Sequence, residues 1–138
     1  MADTARFGIS MDHGLLERFD KLVQRRGYQN RSEAIRDLIR EKLVQEEWEE
    51  GQEVVGVVTL LFDHHQRNLS DELTESQHQE PELVIATTHI HLDRDNCLEM
   101  IAVKGRPEEV RDLASALIGI KGVKHGELTA TSTGSNLH

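Results

Sequence analysis

Hydrophobic and polar residues alternate near the start of the chain and then recur with helical spacing. Phe7, Ile9 and Met11 share one face of segment 6–11, which predicts a short amphipathic strand. An apolar stripe of helical period follows between Asp12, a favourable N-cap, and Gly27, a favourable C-cap. The first 27 residues are therefore predicted to form a strand and then a helix.

A second helix is predicted from Asn30 onward. Asn30 can cap it, and Glu33, three residues later, can complete a capping box ahead of another apolar stripe. A single strand leaves its backbone groups unpaired, so a second chain must supply a neighbouring strand. The order strand, helix, helix therefore predicts an intertwined ribbon-helix-helix dimer.

The hydrophobic period changes after residues 46–53, which we interpret as a frayed helix end and a linker. Beyond them, the pattern predicts strands at 54–62, 83–92, 97–103 and 123–131, and helices at 65–77 and 107–118. This βαββαβ order predicts an α+β, ferredoxin-like domain whose sheet has two helices on one face and a free opposite face. Two domains this small are expected to associate with further copies.

Charge is distributed unevenly along the 138 residues, whose net charge is −9. Residues 1–44 hold nine Lys or Arg against seven Asp or Glu, whereas the remainder holds seven against eighteen. Contact with nucleic acid is therefore expected from the first part, and the acidic part suits a cation. Apolar stretches are too short for a membrane span and the start lacks a secretory signal, so we expect a cytoplasmic protein without membrane contact.

Three histidines and the only cysteine are candidate metal ligands. His89 and His91 lie two apart on a predicted strand and so project from one face. The apolar residues of that strand have the opposite parity, which predicts that both rings point away from the helix-covered side, onto the free face. Cys97 joins them only if it pairs in register with His91, which requires an odd-length or bulged turn. His78, near the end of the predicted helix 65–77, can come from the same chain or another.

Imidazole and thiolate ligands together suit Zn, Ni and Cu, and the sequence leaves the geometry open. No metal role is assigned to His13, His64, His65, His125 or His138. His64 and His65 nevertheless lie close enough to segment 65–80, which carries His78, to bind extra metal loosely.

Strand 6–11, the stretch 25–37 (RRGYQNRSEAIRD) and the four candidate ligands closely resemble the nickel-responsive regulator family. The likeness covers nearly the whole chain, and the ligand spacing of eleven, two and six residues matches the family's. The resemblance implies a ribbon-helix-helix DNA-binding domain at 1–48, a linker at 49–53 and an ACT-like metal-binding domain at 54–138. It further implies a homotetramer, built as a dimer of dimers.

The resemblance also implies one Ni(II) per subunit in a planar site. His89, His91 and Cys97 would come from one subunit and His78 from its neighbour. A second, hard cation is implied between the domains, with potassium the expected occupant because such cations choose oxygen ligands. Its implied ligands are Glu33, Asp37 and carbonyls near Ile118, Ile120 and Val123.

Double-stranded operator DNA is the implied macromolecular partner. We expect the ribbon to enter the major groove and the start of the second helix to hold phosphate. Gly8 stands where some members carry a hydroxyl side chain, and Gln66 replaces a lysine typical of some members. The expected DNA-contacting positions are Arg6, Gly8, Ser10, Asn30, Arg31, Ser32 and Arg67.

The sequence thus predicts a repressor of nickel uptake genes that binds a palindromic operator when nickel is bound. One alternative is an ACT-domain regulator that responds to an amino acid or another metal, and ligand-dependent stability would distinguish it. Another is an antitoxin, which a co-purifying partner would reveal. An enzyme acting on a small organic substrate is not expected, because four protein ligands would leave the metal no open position.

Overall fold

The computed structural model describes residues 3–66 and 69–138. Two helices come first: α1 (His13–Arg26) and α2 (Arg31–Glu50). The remaining elements are β1 (Val54–Asp63), α3 (Leu69–His78), β2 (Val84–His91), β3 (Asn96–Gly105), α4 (Pro107–Ile118) and β4 (Val123–Ser132). Within the described residues, no helix combines the length and the apolar character that crossing a bilayer requires.

The chain divides into two compact units, and the first contains residues up to Leu43 together with 136–138. Helix α1 begins and ends, and helix α2 begins, where the sequence predicts. The Asp12 carboxylate accepts hydrogen bonds from the backbone N–H groups of Gly14 and Leu15 at 2.8 and 3.2 Å, and Gly27 ends α1 with φ of 74°. The Asn30 side chain caps α2 by accepting from the N–H of Glu33 at 2.9 Å.

Residues 3–12 form no regular secondary structure in the single chain, so the predicted strand at 6–11 is not formed here. The physical reason is the one anticipated from the sequence: an isolated strand has no partner for its backbone groups. The apolar face of the segment is open, with Phe7 74% and Ile9 54% exposed. Leu38 and Ile39 of α2 are also exposed. Such surface suits association with a second copy.

The second unit, residues 44–135, is an antiparallel sheet with strand order β2-β3-β1-β4. Helices α3 and α4 pack on one face and bury alternate residues of β1 and β3. The predicted βαββαβ order is confirmed. Its core consists mainly of Val54, Val58, Leu60, Phe62, Ile101, Val103, Val110, Leu113 and Leu117.

The segment 46–53 is more ordered than the sequence suggests. Helix α2 continues to Glu50, so the prediction of a frayed end from residue 46 was wrong. Trp48 explains the difference: it is 5% exposed, and its indole N–H donates to the carbonyl of Thr131 at 2.8 Å. The Arg111 guanidinium lies 5.2 Å from the indole centroid, so polar and apolar contacts together hold the last turns of α2 in the second unit.

Candidate metal centre

Cys97 and His91 lie directly opposite each other on β3 and β2, and His89 lies opposite Glu99. Residues opposite each other in an antiparallel pair share a face, so both imidazoles and the thiol lie on one side of the sheet. Five residues, 92–96, separate His91 from Cys97. This is the odd-length turn that the sequence argument required for the three side chains to share a face, and their assignment as metal ligands stays a prediction.

The loop owes its shape to Asp93. Its Oδ1 accepts hydrogen bonds from the backbone N–H groups of Asp95 and Asn96, both at 2.8 Å, and the Asn96 side chain donates to both carboxylate oxygens. These donors lower the pKa of Asp93 to about 2, since they favour the charged carboxylate. The turn therefore fixes the register that places Cys97 beside His91.

The face on which the ligands lie differs from the predicted one. Cys97 also pairs with Phe62, which is fully buried under the helices, so the three candidate ligands point to the helix-covered side. The prediction that the histidines face the free side was therefore wrong. Its premise fails because Ile90 and Leu92, 36% and 52% exposed, are the residues on the helix-free side. A register shift between Val84 and Ala86 resets the parity of β2.

Sulfur and nitrogen are already close in this arrangement. Sγ of Cys97 lies 3.3 Å from Nδ1 of His91, and the rings of His89 and His91 have centroids 5.1 Å apart. Burial raises the pKa of the Cys97 thiol, and the carboxylates of Asp63, Asp93 and Glu99 raise it further. A metal ion must therefore displace a proton from this thiol in order to bind it.

His64 is a fourth imidazole at this place, and sequence reasoning gave it no metal role. One ligand atom each of His64, His91 and Cys97 lie within 4.8 Å of one another. Nδ1 of His64 is buried without a hydrogen-bond partner, which is unusual unless an ion or water satisfies it. The strand pairing explains the position of His64: Phe62 of β1 lies opposite Cys97 of β3, so His64, just past the end of β1, lies beside the ligand turn.

A second acidic and imidazole group adjoins the first. Asp63, His64 and His65 also offer ligand atoms within 4.8 Å of one another. His65 is engaged elsewhere, with Nε2 at 3.0 Å from the carbonyl oxygen of Arg94 and 3.3 Å from the Asp95 carboxylate. The thiol and imidazole donors of the first group fit a borderline metal such as nickel better than carboxylates do.

His78 is the last residue of α3, and its side chain is exposed. Among the described residues, it belongs to neither group of ligand atoms that converge within one chain. The structure therefore brings the ligand atoms of two predicted ligands, His91 and Cys97, together; His89 shares their face with its ring centroid 5.1 Å from that of His91, and His78 is exposed at the end of α3.

The predicted DNA-contacting residues of the described first unit are exposed. Arg6, Gly8 and Ser10 lie on segment 3–12, with nothing within 4 Å of the position a Gly8 side chain would take. Asn30, Arg31 and Ser32 lie at the start of α2, and the N-terminus of a helix favours anions.

Arg31 is already engaged. Its guanidinium forms two hydrogen bonds to the Asp20 carboxylate, at 2.8 and 2.9 Å. This contact lowers the pKa of Asp20. Arg67 lies outside the described residues.

Of the residues implied for a hard cation, Glu33 and Asp37 belong to the first compact unit, whereas Ile118, Ile120 and Val123 belong to the second. Glu33 and Asp37 are one turn apart on α2, and the Asp37 carboxylate accepts a hydrogen bond from the Tyr28 hydroxyl. Ile118, Ile120 and Val123 border the turn between α4 and β4, where the Ile120 carbonyl accepts from the N–H of Val123 at 3.1 Å. The cation site stays a prediction.

A two-helix module of ribbon-helix-helix type, followed along the chain by a βαββαβ domain with a thiol and imidazole cluster, is typical of a metal-binding, DNA-binding regulator. The model of the NikR C-terminal nickel-binding domain matches residues 55–131, and that of the ribbon-helix-helix protein, copG family, matches residues 5–46. The chain belongs to the nickel-responsive regulator family, whose members are regulators and not enzymes.

Relatives that bear the name nickel-responsive regulator support this assignment along the full length. The proteins of Geotalea uraniireducens and Geobacter sulfurreducens are each 57% identical to this chain, with 100% of both sequences covered. That of Desulfovibrio desulfuricans is 50% identical, with 99% of each covered. Among solved structures, the uncharacterized protein TM1266 from Thermotoga maritima is similar in fold, with TM-score 0.51 and 12% identity over 57% of this chain and 98% of that one.

Proposed function

We propose that this chain is a cytoplasmic, homotetrameric repressor of nickel uptake genes, which binds a palindromic operator when nickel is bound. The observation that carries the proposal is the convergence of Cys97, His91 and His89 on one face of the sheet. Family membership adds a nickel-binding domain and a DNA-binding module in the same polypeptide.

His89, His91 and Cys97 are the ligands that one subunit contributes, with one Ni(II) per subunit. His78 of the neighbouring subunit is the fourth, because it is exposed at the end of α3 and, among the described residues, its ligand atoms do not join those of His91 and Cys97 within one chain. Bound nickel supplies a link between two subunits in this arrangement. The chain's own part is to present a thiol that ionises on binding and a helix end that reaches outward. Ordering of that helix end couples the metal to the DNA-binding units.

Arg6 and Ser10 read base edges from the ribbon of a dimer, and Gly8 leaves a gap between them. Asn30, Arg31 and Ser32 hold phosphate at the start of α2, and Arg67 adds a further basic contact. Phosphate contacts position the protein without specifying sequence, so specificity depends on the ribbon.

An operator-binding titration with Ni(II), with Zn(II) and with a chelator tests the proposal. Nickel is expected to tighten binding relative to the chelator, and more strongly than zinc. In Cys97→Ala the nickel effect is expected to disappear, whereas His125→Ala, which removes an exposed imidazole from β4, is the matched control and keeps it. Equal operator affinity in all three conditions would refute metal-dependent repression.

A further inference from the structure

A buried carboxylate lies beside His89. Glu99 is 7% exposed, and its neighbours across the sheet are His89 on one side and the buried Leu60 on the other. Oε1 of Glu99 accepts a hydrogen bond from Nε2 of Gln77 at 2.6 Å, and Oε2 lies 3.4 Å from Nδ1 of His89. Burial of a carboxylate costs free energy unless polar groups surround it. The position therefore indicates a role that an apolar side chain would not fulfil.

Gln77 uses both ends of its amide. While its Nε2 donates to Glu99, its Oε1 accepts a hydrogen bond from the Thr87 hydroxyl at 2.7 Å. Gln77 is itself 7% exposed, so both contacts lie in the core. The contacts join the last turn of α3, which ends at His78, to β2 and β3.

The same carboxylate faces one particular nitrogen of His89. When Nδ1 of an imidazole donates to a carboxylate, its proton stays there and Nε2 is left with a free lone pair for a metal. A partner of this kind also restricts rotation of the ring, which matters here because the His89 side chain is 37% exposed.

We propose that Glu99 and Gln77 are positioning residues of the metal centre. Glu99 orients the His89 ring with Nε2 toward the metal. Gln77 ties the last turn of α3, on which His78 lies, to the same carboxylate. The inference rests on the proposed function, which gives His78 to the neighbouring subunit. Within one subunit, Glu99 and Gln77 then connect His89, a ligand of that subunit's metal centre, with His78, a ligand of the neighbouring subunit's centre. Nickel binding at one centre therefore influences binding at the other.

The first test is the tautomer of His89 in the metal-free chain, read from its ring nitrogen shifts by NMR. The native chain is expected to carry the proton on Nδ1. In Glu99→Gln the single amide oxygen is taken by Gln77, so an NH2 group faces Nδ1 and the proton is expected to move to Nε2. Glu127→Gln, an exposed glutamate of β4, is the matched control and should leave the tautomer unchanged.

The second test is nickel affinity, measured by competition with a chelator. Glu99→Gln is expected to lose about 10- to 100-fold in affinity, the usual cost of removing a partner of a metal-bound histidine. Gln77→Met keeps the side-chain volume and is expected to weaken affinity without changing the tautomer. Because the two residues act through one contact, the double variant should lose less than the product of the two single losses.

Three results would overturn the inference. An Nε2 proton on His89 in the native chain would remove the orienting role of Glu99. So would a Glu99→Gln variant with native tautomer and affinity within twofold. Losses that multiply to within twofold in the double variant would remove the coupling through Gln77. Failure of the native chain to bind nickel would refute the proposed function instead, while the metal-free tautomer still tests Glu99.

Discussion

Replacement of Cys97 by alanine separates the cost of removing a metal ligand from the cost of disturbing the core. Cys97 is fully buried, and the change removes one sulfur atom. If that atom is counted as one methylene, the loss is about 0.8 kcal/mol plus a small cavity term. A folded domain has about 5–15 kcal/mol of stability, so the variant is expected to fold and assemble.

The expected effect on nickel binding is much larger. Removal of a hydrogen-bond partner of a ligand already costs about 10- to 100-fold, so removal of the ligand itself should cost at least about 100-fold. There is also a signature in pH. Because burial raises the pKa of Cys97, the thiol is protonated at neutral pH in the metal-free chain, and metal binding releases that proton. Affinity therefore rises with pH, and Cys97→Ala should lower the slope of log affinity against pH by about one.

The assay is a chelator-competition titration at several pH values, with the oligomeric state measured by light scattering. His125→Ala serves again as the control, with native slope and affinity expected. Two outcomes would refute the assignment of Cys97 as a ligand: nickel affinity within threefold of the native chain, or an unchanged pH slope in a folded Cys97→Ala variant.

Three further changes test other parts of the account. His78→Ala should reduce nickel affinity at least about 100-fold, while His64→Ala leaves it within threefold. A competition titration in which His64→Ala causes the larger loss would instead assign nickel to the group of His64, His91 and Cys97 within one chain. Asp20→Asn frees Arg31 for a phosphate, so the salt dependence of operator binding should steepen by about 0.9 per added contact, and an identical slope would show that Arg31 does not reach DNA. Asp93→Ala loosens the ligand turn and should weaken nickel binding about tenfold, whereas Asp93→Asn, which keeps an acceptor oxygen, should retain most of the affinity. Equal affinities of the two variants in the same titration would show that the turn does not influence the metal centre.

The helix boundaries and the element order could be predicted because their causes are local. Asp12, Asn30 and Gly27 act within a few residues of themselves, and a change of hydrophobic period marks the start of the sheet domain. Trp48 was the exception, since the contact that keeps its helix ordered comes from Thr131, far along the chain. No local pattern in 46–53 carries that information.

The side of the sheet on which the ligands lie could not be predicted either, because it too depends on more than local sequence. The parity argument assumed that apolar residues of β2 point toward the chain's own helices. Ile90 and Leu92 lie on the opposite face and are exposed in the single chain. That assumption holds only when a strand has one apolar neighbour, and an edge strand in an oligomer can have two. The expectation that His89, His91 and Cys97 can share one face survived the error, because it depends on register and turn length alone.

The closeness of His64 to His91 and Cys97 could not be predicted from residue spacing, because it depends on how the chain leaves β1 and on the pairing of β1 with β3.

The most direct test of the central claim is an anomalous-scattering map of crystals of the full chain grown with nickel. The account predicts one peak per subunit, bonded to Sγ of Cys97 and to the rings of His89 and His91, and completed by His78 from an adjacent subunit. A peak bonded to His64 in place of the neighbour's histidine, or no peak beside Cys97, would contradict it.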